Sequence, residues 1–225
     1  MQIIKNKINR LFQSKNVLKL KFYIHKYFKE KDIGNLGLNF ENKPDRSIII
    51  QKIIDYKNYI NYLEIGCFSN ELFNKLKIEN KVGVDPVSGG TIKATSDEFF
   101  KNNKKNFDII FIDGLHHYHQ VKKDINNSIN FLSENGVILL HDCLPNNVYD
   151  QAIPRCTFKW NGDVWKAIVE ARSSTTSSNL SAGTNWLISP IDNASSPEYR
   201  RPVKSISFVL AGPTISIIFF ILRNA

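Results

Sequence analysis

The amino-acid sequence predicts an α/β fold in three layers, built on a doubly wound and mainly parallel sheet. Four short apolar runs each end at glycine, proline or aspartate, which is typical of strands buried on both faces of a parallel sheet. Segments with helical spacing separate these runs, and this alternation indicates βαβ units. The runs cover residues 62–67, 81–86, 107–114 and 136–142.

Acidic residues, a glycine and a histidine fall where the predicted strands end. In doubly wound sheets, ligands bind at the carboxyl ends of the strands, where the strand order reverses. We therefore expect a ligand site at this edge of the sheet. The residues concerned are Glu64, Gly66, Asp85, Asp113, His141 and Asp142.

Length and charge narrow the function classes. A chain of 225 residues indicates one domain with terminal additions. The net charge of +9 raises the question of a nucleic-acid partner. However, the first 172 residues are rich in Lys, Asn, Ile, Phe and Tyr together, which favours a bias in the coding sequence. We therefore expect no specific nucleic-acid partner.

The cysteines indicate a reducing compartment. They are odd in number and lack metal-ligand spacing, as is typical of free thiols in the cytoplasm. The apolar runs near the N-terminus are short and interrupted by lysines, so no secretory signal peptide is expected. The cysteines are Cys67, Cys143 and Cys156.

Residues 1–45 are predicted to form an N-terminal helical extension and a loop. The first 31 residues hold nine basic residues and one acid, and two apolar sets each share a helical face. One interpretation is peripheral contact with an anionic membrane surface. The other is packing on the domain or on a second subunit, as in a homodimer. The apolar sets are Ile4, Ile8, Leu11 and Phe12, and then Leu20, Ile24, Tyr27 and Phe28.

Residues 46–172 are predicted to form the core. It begins with a helix over residues 46–59, which leads into the first strand. Ser69 is expected to cap the next helix, and a further capped helix begins near Ser96. The last helices predicted are an amphipathic one over residues 118–132, stopped by Asn135-Gly136, and one from Val164.

The first two strand ends favour a cofactor that contains adenosine. A glycine such as Gly66 lets the backbone approach a ligand closely. Asp85 lies 19 positions further on, the usual spacing for a carboxylate that accepts hydrogen bonds from ribose hydroxyls. The dinucleotide pattern G-x-G-x-x-G is absent after Gly66, which disfavours an NAD-dependent oxidoreductase.

These motifs resemble those of class I S-adenosylmethionine-dependent methyltransferases, whose fold is Rossmann-like. Glu64-Ile65-Gly66-Cys67 resembles the E-x-G-x-x-x-G motif, with Asn70 at the last glycine. Residues 82–86 resemble the second motif, and residues 113–124 resemble the D-G-x-H-x-Y-x-x-V-x-x-D signature of a small-molecule group. The cofactor-binding residues that the resemblance implies are Glu64, Gly66, Cys67, Phe68, Asn70, Asp85, Pro86, Ser96, Asp97, Asp113 and Gly114.

The resemblance also implies the chemistry. In related O-methyltransferases, acids that end the corresponding strands hold a divalent metal, which implies Asp113 and Asp142 as ligands here. Oxygen ligands suit Mg²⁺, and His141 opens the site to other metals. His116 is the candidate general base, with Asp113 and His141 beside it as catalytic residues. The alternative is structural, with Asp113 capping its loop and His116 anchoring it.

Residues 173–225 form a segment of different composition, poor in lysine and rich in serine. Its last part, residues 206–222, is uncharged and just long enough to cross a membrane, but Gly212 and Pro213 interrupt it. The resemblance implies a closing antiparallel hairpin, with strands over residues 205–210 and 215–222. Membrane insertion and disorder are the alternatives.

The predicted function is transfer of a methyl group from S-adenosylmethionine to a small acceptor, most simply a hydroxyl of a sugar or of a natural-product-like molecule. The alternative is a catalytically inactive methyltransferase-like binding protein, associated with a membrane through its basic helix. The replacement of a motif glycine by Asn70 and the unusual C-terminal segment favour that alternative.

Overall fold

A computed structural model describes residues 14–29, 34–35, 44–171, 206–211 and 215–221. Six strands form one sheet in the order β2-β1-β3-β4-β6-β5. The first four are parallel, and β5 and β6 form an antiparallel hairpin whose β6 pairs with β4. This confirms the predicted α/β fold with a mainly parallel sheet. The strands are β1 (Asn61–Ile65), β2 (Asn80–Val84), β3 (Phe107–Ile112), β4 (Leu132–Leu140), β5 (Ile206–Ala211) and β6 (Ile215–Ile221).

Helices lie along the chain between the parallel strands, before them and after β4. The first, α1, continues into a π-helical turn over His25–Lys29. Among the described residues, no helix has the length and apolar content needed to cross a membrane. The helices are α1 (Lys15–Ile24), α2 (Arg46–Lys57), α3 (Glu71–Lys75), α4 (Ser96–Asn102), α5 (Tyr118–Asn130) and α6 (164–171).

The core lies on both faces of the sheet because successive side chains of a strand point to opposite sides. Leu63 and Ile65 pack on one side with α4 and α5. Tyr62 packs on the other side with α2 and α3. Strands with both faces covered must be apolar almost throughout, as the four runs are.

Two local predictions are wrong by a few residues, whereas the capped helix predicted near Ser96 is confirmed, since it begins at that residue. The cap of α3 is Asn70 rather than Ser69, and it has a left-handed backbone. Thr95 caps α4 in a capping box with Glu98. The helix stop predicted at Asn135-Gly136 lies inside β4, because the chain leaves α5 at Asn130 and Leu132 already pairs with Phe107.

The C-terminal hairpin lies within a residue of the strands predicted for it. It adds two antiparallel strands to the β4 side of the sheet. The division of the chain at residues 45 and 172 remains a prediction. The predicted helical face at Ile4, Ile8, Leu11 and Phe12 lies outside the described residues.

Candidate active site

The ends of β1, β3 and β4 bring the predicted site residues together. Ile65 pairs with Ile112, and Ile112 pairs with Leu140. The residues that follow continue this order, since the Asp113 amide donates to the Ile65 carbonyl at 2.8 Å and the His141 amide donates to the Ile112 carbonyl at 3.1 Å. The parallel register therefore places three chemically distinct loops side by side.

Asp113 is the centre of the arrangement. Its Oδ2 accepts a hydrogen bond from Arg46 Nη1 at 2.8 Å. Its Oδ1 lies 3.1 Å from His116 Nε2 and 2.9 Å from His141 Nδ1. One carboxylate thus faces three basic side chains, from α2, from its own loop and from the end of β4.

Asp142 faces the same histidines from the other side. Its Oδ2 lies 3.3 Å from the Nδ1 atoms of both His116 and His141. Its Oδ1 accepts from Asn161 Nδ2 at 2.9 Å. The backbone of Asp142 is left-handed, with φ 56°, a conformation that few residues other than glycine adopt. This turn brings the Asp142 carboxylate next to the end of β3.

Charge pairing dominates the electrostatics of this cluster. Burial lowers the pKa of His141, but the Asp113 and Asp142 carboxylates outweigh it and raise that pKa to about 10. The same balance of burial and carboxylates leaves the pKa of His116 raised. Burial raises the pKa of Asp113, yet the two histidines hold it below its usual value. With only these neighbours, His141 carries a proton at neutral pH.

The donor atoms fit a divalent metal ion. Asp113, His116, His141 and Asp142 each offer one ligand atom, and these atoms lie within 4.8 Å of one another. Within the described part of the chain, the buried Nδ1 atoms of His116 and His141 make no hydrogen bond of normal geometry, although carboxylate oxygens are near. Two imidazoles and two carboxylates suit a transition metal such as Mn²⁺, Fe²⁺ or Zn²⁺ better than Mg²⁺.

Residues 160–163 form a wall that holds His116 in place. The Trp160 ring lies 5.5 Å from the His116 ring. A Cβ added at Gly162 would overlap the His116 carbonyl oxygen, so only glycine fits there. Asp163 accepts from the Tyr118 amide at 2.6 Å, which fixes the start of α5.

The loop after β1 requires its glycine. Gly66 has φ 88°. A Cβ added there would overlap the Asp113 carbonyl oxygen. This close approach lets the loops after β1 and β3 lie against each other.

Asp85 ties the loops after β1 and β2 together. Its Oδ2 accepts from the amides of Cys67 and Phe68 at 3.1 and 3.0 Å. Its Oδ1 accepts from those of Val87 and Ser88, both at 2.8 Å. Four backbone donors therefore already engage the two oxygens of Asp85.

Asn70 takes the place of the motif glycine without loss of the loop geometry. Its φ is 62°, in the left-handed region that asparagine tolerates. Its Oδ1 accepts from the Gly90 amide at 2.7 Å, which adds a second tie between the two loops. Phe68 is also left-handed, with φ 44°, and its ring is 78% exposed. A bulky residue held in this conformation at a loop tip is a strained position of the kind found at ligand sites.

The other residues predicted to bind cofactor are either more deeply buried or lie at the edge of the candidate site. Glu64 is 2% exposed and accepts from the Tyr62 hydroxyl at 2.6 Å. Burial raises the pKa of Glu64 to about 7. At the start of α4, Ser96 Oγ and Asp97 Oδ1 both accept a hydrogen bond from Gln120 Nε2 of α5. Of the remaining predicted residues, Cys67 is buried, Gly114 is half-buried and Pro86 is exposed.

Sequence reasoning missed Arg46, Trp160, Asn161 and Gly162. One usable signal was that arginine is rare here: the first 171 residues hold only three, among many lysines. Arginine is favoured over lysine where a carboxylate must be held in fixed geometry. The other signal was the Asn161-Gly162 pair, which marks a tight turn directly after a tryptophan.

Comparison with known proteins gives a family match for part of the chain. Residues 71–143 match a family model described as a methyltransferase domain. In sequence, the chain matches none of the curated proteins.

Three solved structures are similar to this chain. An O-methyltransferase from Bacillus cereus, solved in complex with SAH, is 14% identical over 70% of this chain and 85% of its own, with a TM-score of 0.42. The O-methyltransferase TomG from Streptomyces achromogenes, involved in tomaymycin synthesis and solved in complex with SAM, is 11% identical over 57% and 66%, with a TM-score of 0.36. A structure named as a caffeoyl-CoA O-methyltransferase from Staphylococcus aureus is 14% identical over 97% and 99%, with a TM-score of 0.46.

The matched segment begins at α3, directly after the glycine loop, and ends just beyond Asp142. It therefore contains Asp85 and all four members of the donor cluster. The sheet on which it lies has the mainly parallel, Rossmann-like arrangement that the sequence predicts. Residues 71–143 of this chain are thus similar to a methyltransferase domain.

Proposed function

We propose that this protein transfers the methyl group of S-adenosylmethionine to a hydroxyl of a small acceptor, such as a sugar or a natural-product-like molecule. The observation that carries the proposal is the cluster of Asp113, His116, His141 and Asp142 beside the glycine loop. The bound cofactor supplies an activated methyl group. The protein must align the acceptor and remove its proton.

The cofactor is proposed to lie over the loops after β1 and β2. Gly66 supports this because it lets the loops after β1 and β3 lie against each other at the strand ends. Asp85 is proposed to accept from the ribose hydroxyls, and its bonds to four amides give it a second role, which is to hold both loops at the spacing the cofactor needs. Phe68 is proposed to cover the cofactor, since its exposed ring stands at the tip of the first loop.

Asp113 and Asp142 are the proposed metal ligands, and His141 lies close enough to join them. A divalent ion there would bind acceptor oxygens and favour the ionised hydroxyl. Arg46 opposes this binding, since its guanidinium already pairs with Asp113 Oδ2.

His116 is the proposed proton acceptor, a role that requires the neutral form of its imidazole. The Asp113 and Asp142 carboxylates raise the pKa of His116. Neutralisation of these carboxylates by another cation removes most of that effect, so the imidazole becomes neutral and able to accept a hydroxyl proton. The Trp160 wall keeps the ring in position meanwhile.

One observation favours a second candidate, the catalytically inactive binding protein. Arg46 lies 3.4 Å from His141 Nε2 as well as 2.8 Å from Asp113, so the cluster contains a cation of its own. If Arg46 stays in place permanently, the protein binds cofactor without the metal-assisted chemistry. Direct metal titration distinguishes the two candidates.

The protein is further proposed to act in the cytoplasm. Cys67, Cys143 and Cys156 are all buried as thiols. Buried thiols are typical of reducing compartments.

Calorimetry with S-adenosylhomocysteine (SAH) and with NAD tests the cofactor. We expect SAH to bind and NAD not to bind. Gly66→Ala should abolish SAH binding, because the new Cβ overlaps the Asp113 carbonyl oxygen. Gly34→Ala is the matched control, since Gly34 also has positive φ (86°) but has nothing within 4 Å of an added Cβ. Binding of NAD, or of neither ligand, would contradict the proposal.

A further inference from the structure

Helix α1 has two apolar faces, and only one of them packs on the protein. Leu18 and His25 are buried, and Phe22 lies against Tyr149 with a ring separation of 4.7 Å. Positions 18, 22 and 25 fall on one side of a helix. The inner face therefore fixes α1 to the segment that follows β4.

The opposite side of α1 carries a second apolar set, which we call the outer face. It is exposed along its whole length, from Leu20 at 60% to Phe28 at 84%. Leu20 lies two residues beyond Leu18, which is about 200° around the helix. Contiguous exposed apolar surface of this kind marks an interaction site. The outer face consists of Leu20, Tyr23, Ile24, Tyr27 and Phe28.

The charge around the outer face identifies its partner. Between Ser14 and Lys29 the chain has five lysines and neither aspartate nor glutamate. A second copy docked through the same face would bring two sets of five lysines together, which is repulsive. An anionic lipid surface attracts each nearby lysine by about 1 kcal/mol.

The side chains of the outer face also suit the lipid–water boundary. Tyr23 and Tyr27 are stacked, with ring centroids 6.1 Å apart. Tyrosine prefers the headgroup level, where its ring is in apolar surroundings and its hydroxyl stays hydrated. Lys19 and Lys26 are exposed, and the Lys26 Nζ lies 5.8 Å from the centroid of the Tyr27 ring. Lysine stems can lie along apolar surface while their charges stay in water.

We propose that the outer face of α1 binds the surface of membranes that contain anionic lipids. Within the described part of the chain, the helix and its π-helical turn cover residues 15–29, too few to cross a bilayer, so we place the helix in the plane of the interface. This inference is independent of the methyl-transfer reaction.

Vesicle co-sedimentation of the full-length protein tests the proposal. We expect binding to phosphatidylcholine vesicles that contain a third of phosphatidylglycerol, and little binding to phosphatidylcholine alone. Binding should fall at about 0.5 M salt, where charges on a surface are screened within a few ångströms. Equal binding to both vesicle types, or binding to neither, would overturn the proposal.

Variants separate the outer face from a general surface effect. Replacing Tyr27 and Phe28 by serine should weaken vesicle binding at least about tenfold, since burial of one large apolar side chain contributes about 1.5–3 kcal/mol. Tyr56→Ser is the matched control, because Tyr56 is 83% exposed on α2 beside Lys57, yet lies outside the outer face. Both variants should keep wild-type SAH affinity.

Two outcomes would assign the outer face differently. If the Tyr27/Phe28 double variant sediments with vesicles like the wild type, the outer face is not the lipid-binding surface. If vesicles bind neither protein and ultracentrifugation shows a wild-type dimer that the double variant lacks, the partner is a second copy. Either result overturns the proposal.

Discussion

The two halves of the strand-end region are built differently. On the proposed cofactor side, formed by the loops after β1 and β2, Asp85 accepts from four backbone amides and Asn70 adds a fifth such bond. On the side proposed for the methyl acceptor (the acceptor side), at the ends of β3 and β4, Asp113 and Asp142 face charged side chains. In the described structure, two buried imidazole nitrogens there lack a well-formed hydrogen bond.

This difference indicates which half is already complete. Backbone donors are fixed by the fold and cost little to organise when a ligand arrives. Side-chain charges held mainly by one another can rearrange around a cation or a substrate. The cofactor side is therefore expected to bind alone, while the acceptor side is expected to need a cation and an acceptor.

The largest expected effect is on turnover. His116→Gln removes the proposed proton acceptor from the acceptor side, and its contribution should be about 10²–10⁴-fold. Turnover on any hydroxyl acceptor that the wild type methylates should fall by this amount. His119→Gln is the control, because His119 is an exposed histidine of the same segment. Wild-type turnover in the His116 variant would leave His116 with an anchoring role only.

Glu64 is a buried carboxyl group in β1, beneath the proposed cofactor side. Its burial should lower the free energy of unfolding at neutral pH. Its pKa rises from 4.5 to about 7 through burial, so the folded protein keeps a proton that the unfolded chain loses. The free energy of unfolding should therefore fall by up to about 3 kcal/mol as pH rises from 4.5 to 7, at 1.36 kcal/mol per pKa unit.

Chemical denaturation across this pH range measures the effect of Glu64. Glu64→Gln should remove this part of the pH dependence, because Gln keeps an acceptor for the Tyr62 hydroxyl and carries no charge. Glu71→Gln is the control, since Glu71 is exposed on α3. An identical pH dependence in the Glu64 variant and the wild type would show that Glu64 is ionised in the folded state.

Asp85→Asn should weaken SAH binding by about 1.5–3 kcal/mol, the range for hydrogen bonds to a charged group. The amide keeps one acceptor oxygen and turns an NH₂ group towards two backbone donors, so the loops after β1 and β2 should separate. Calorimetry measures the loss, and circular dichroism checks that the fold survives. Full SAH affinity in a folded variant would place the cofactor elsewhere.

The smallest expected effect is on metal affinity. Arg46→Met should raise Mn²⁺ affinity about tenfold, because it removes a cation that pairs with Asp113 Oδ2 and resists a second positive charge. Electron paramagnetic resonance of free Mn²⁺ measures this affinity directly. Lys75→Met is the control, because it removes the cation of an ion pair on the surface. Weaker Mn²⁺ binding in the Arg46 variant would mean that Arg46 orders the ligands.

Full activity after exhaustive chelation would exclude a metal role for Asp113 and Asp142.

The sequence was informative where a local pattern decides the structure. The strand ends could be predicted, since apolar runs stop at polar residues, and parallel strands then bring Asp113 and Asp142 to one edge. The partners of Arg46 and Asn161 could not be predicted. Their contacts to Asp113 and Asp142 span 67 and 19 residues and depend on how α2 and the 160–163 wall pack. The cap of α3 was misplaced because the left-handed turn at Asn70 follows from its bond to Gly90 in another loop.

The most direct test compares SAH affinity in two variants by calorimetry, measured side by side. The difference between the two halves predicts that Asp85→Asn binds SAH at least about tenfold more weakly than the wild type, while His116→Gln binds it equally well. Equal losses in both variants, or a loss only in His116→Gln, would show that the cofactor depends on the acceptor side and would contradict the account.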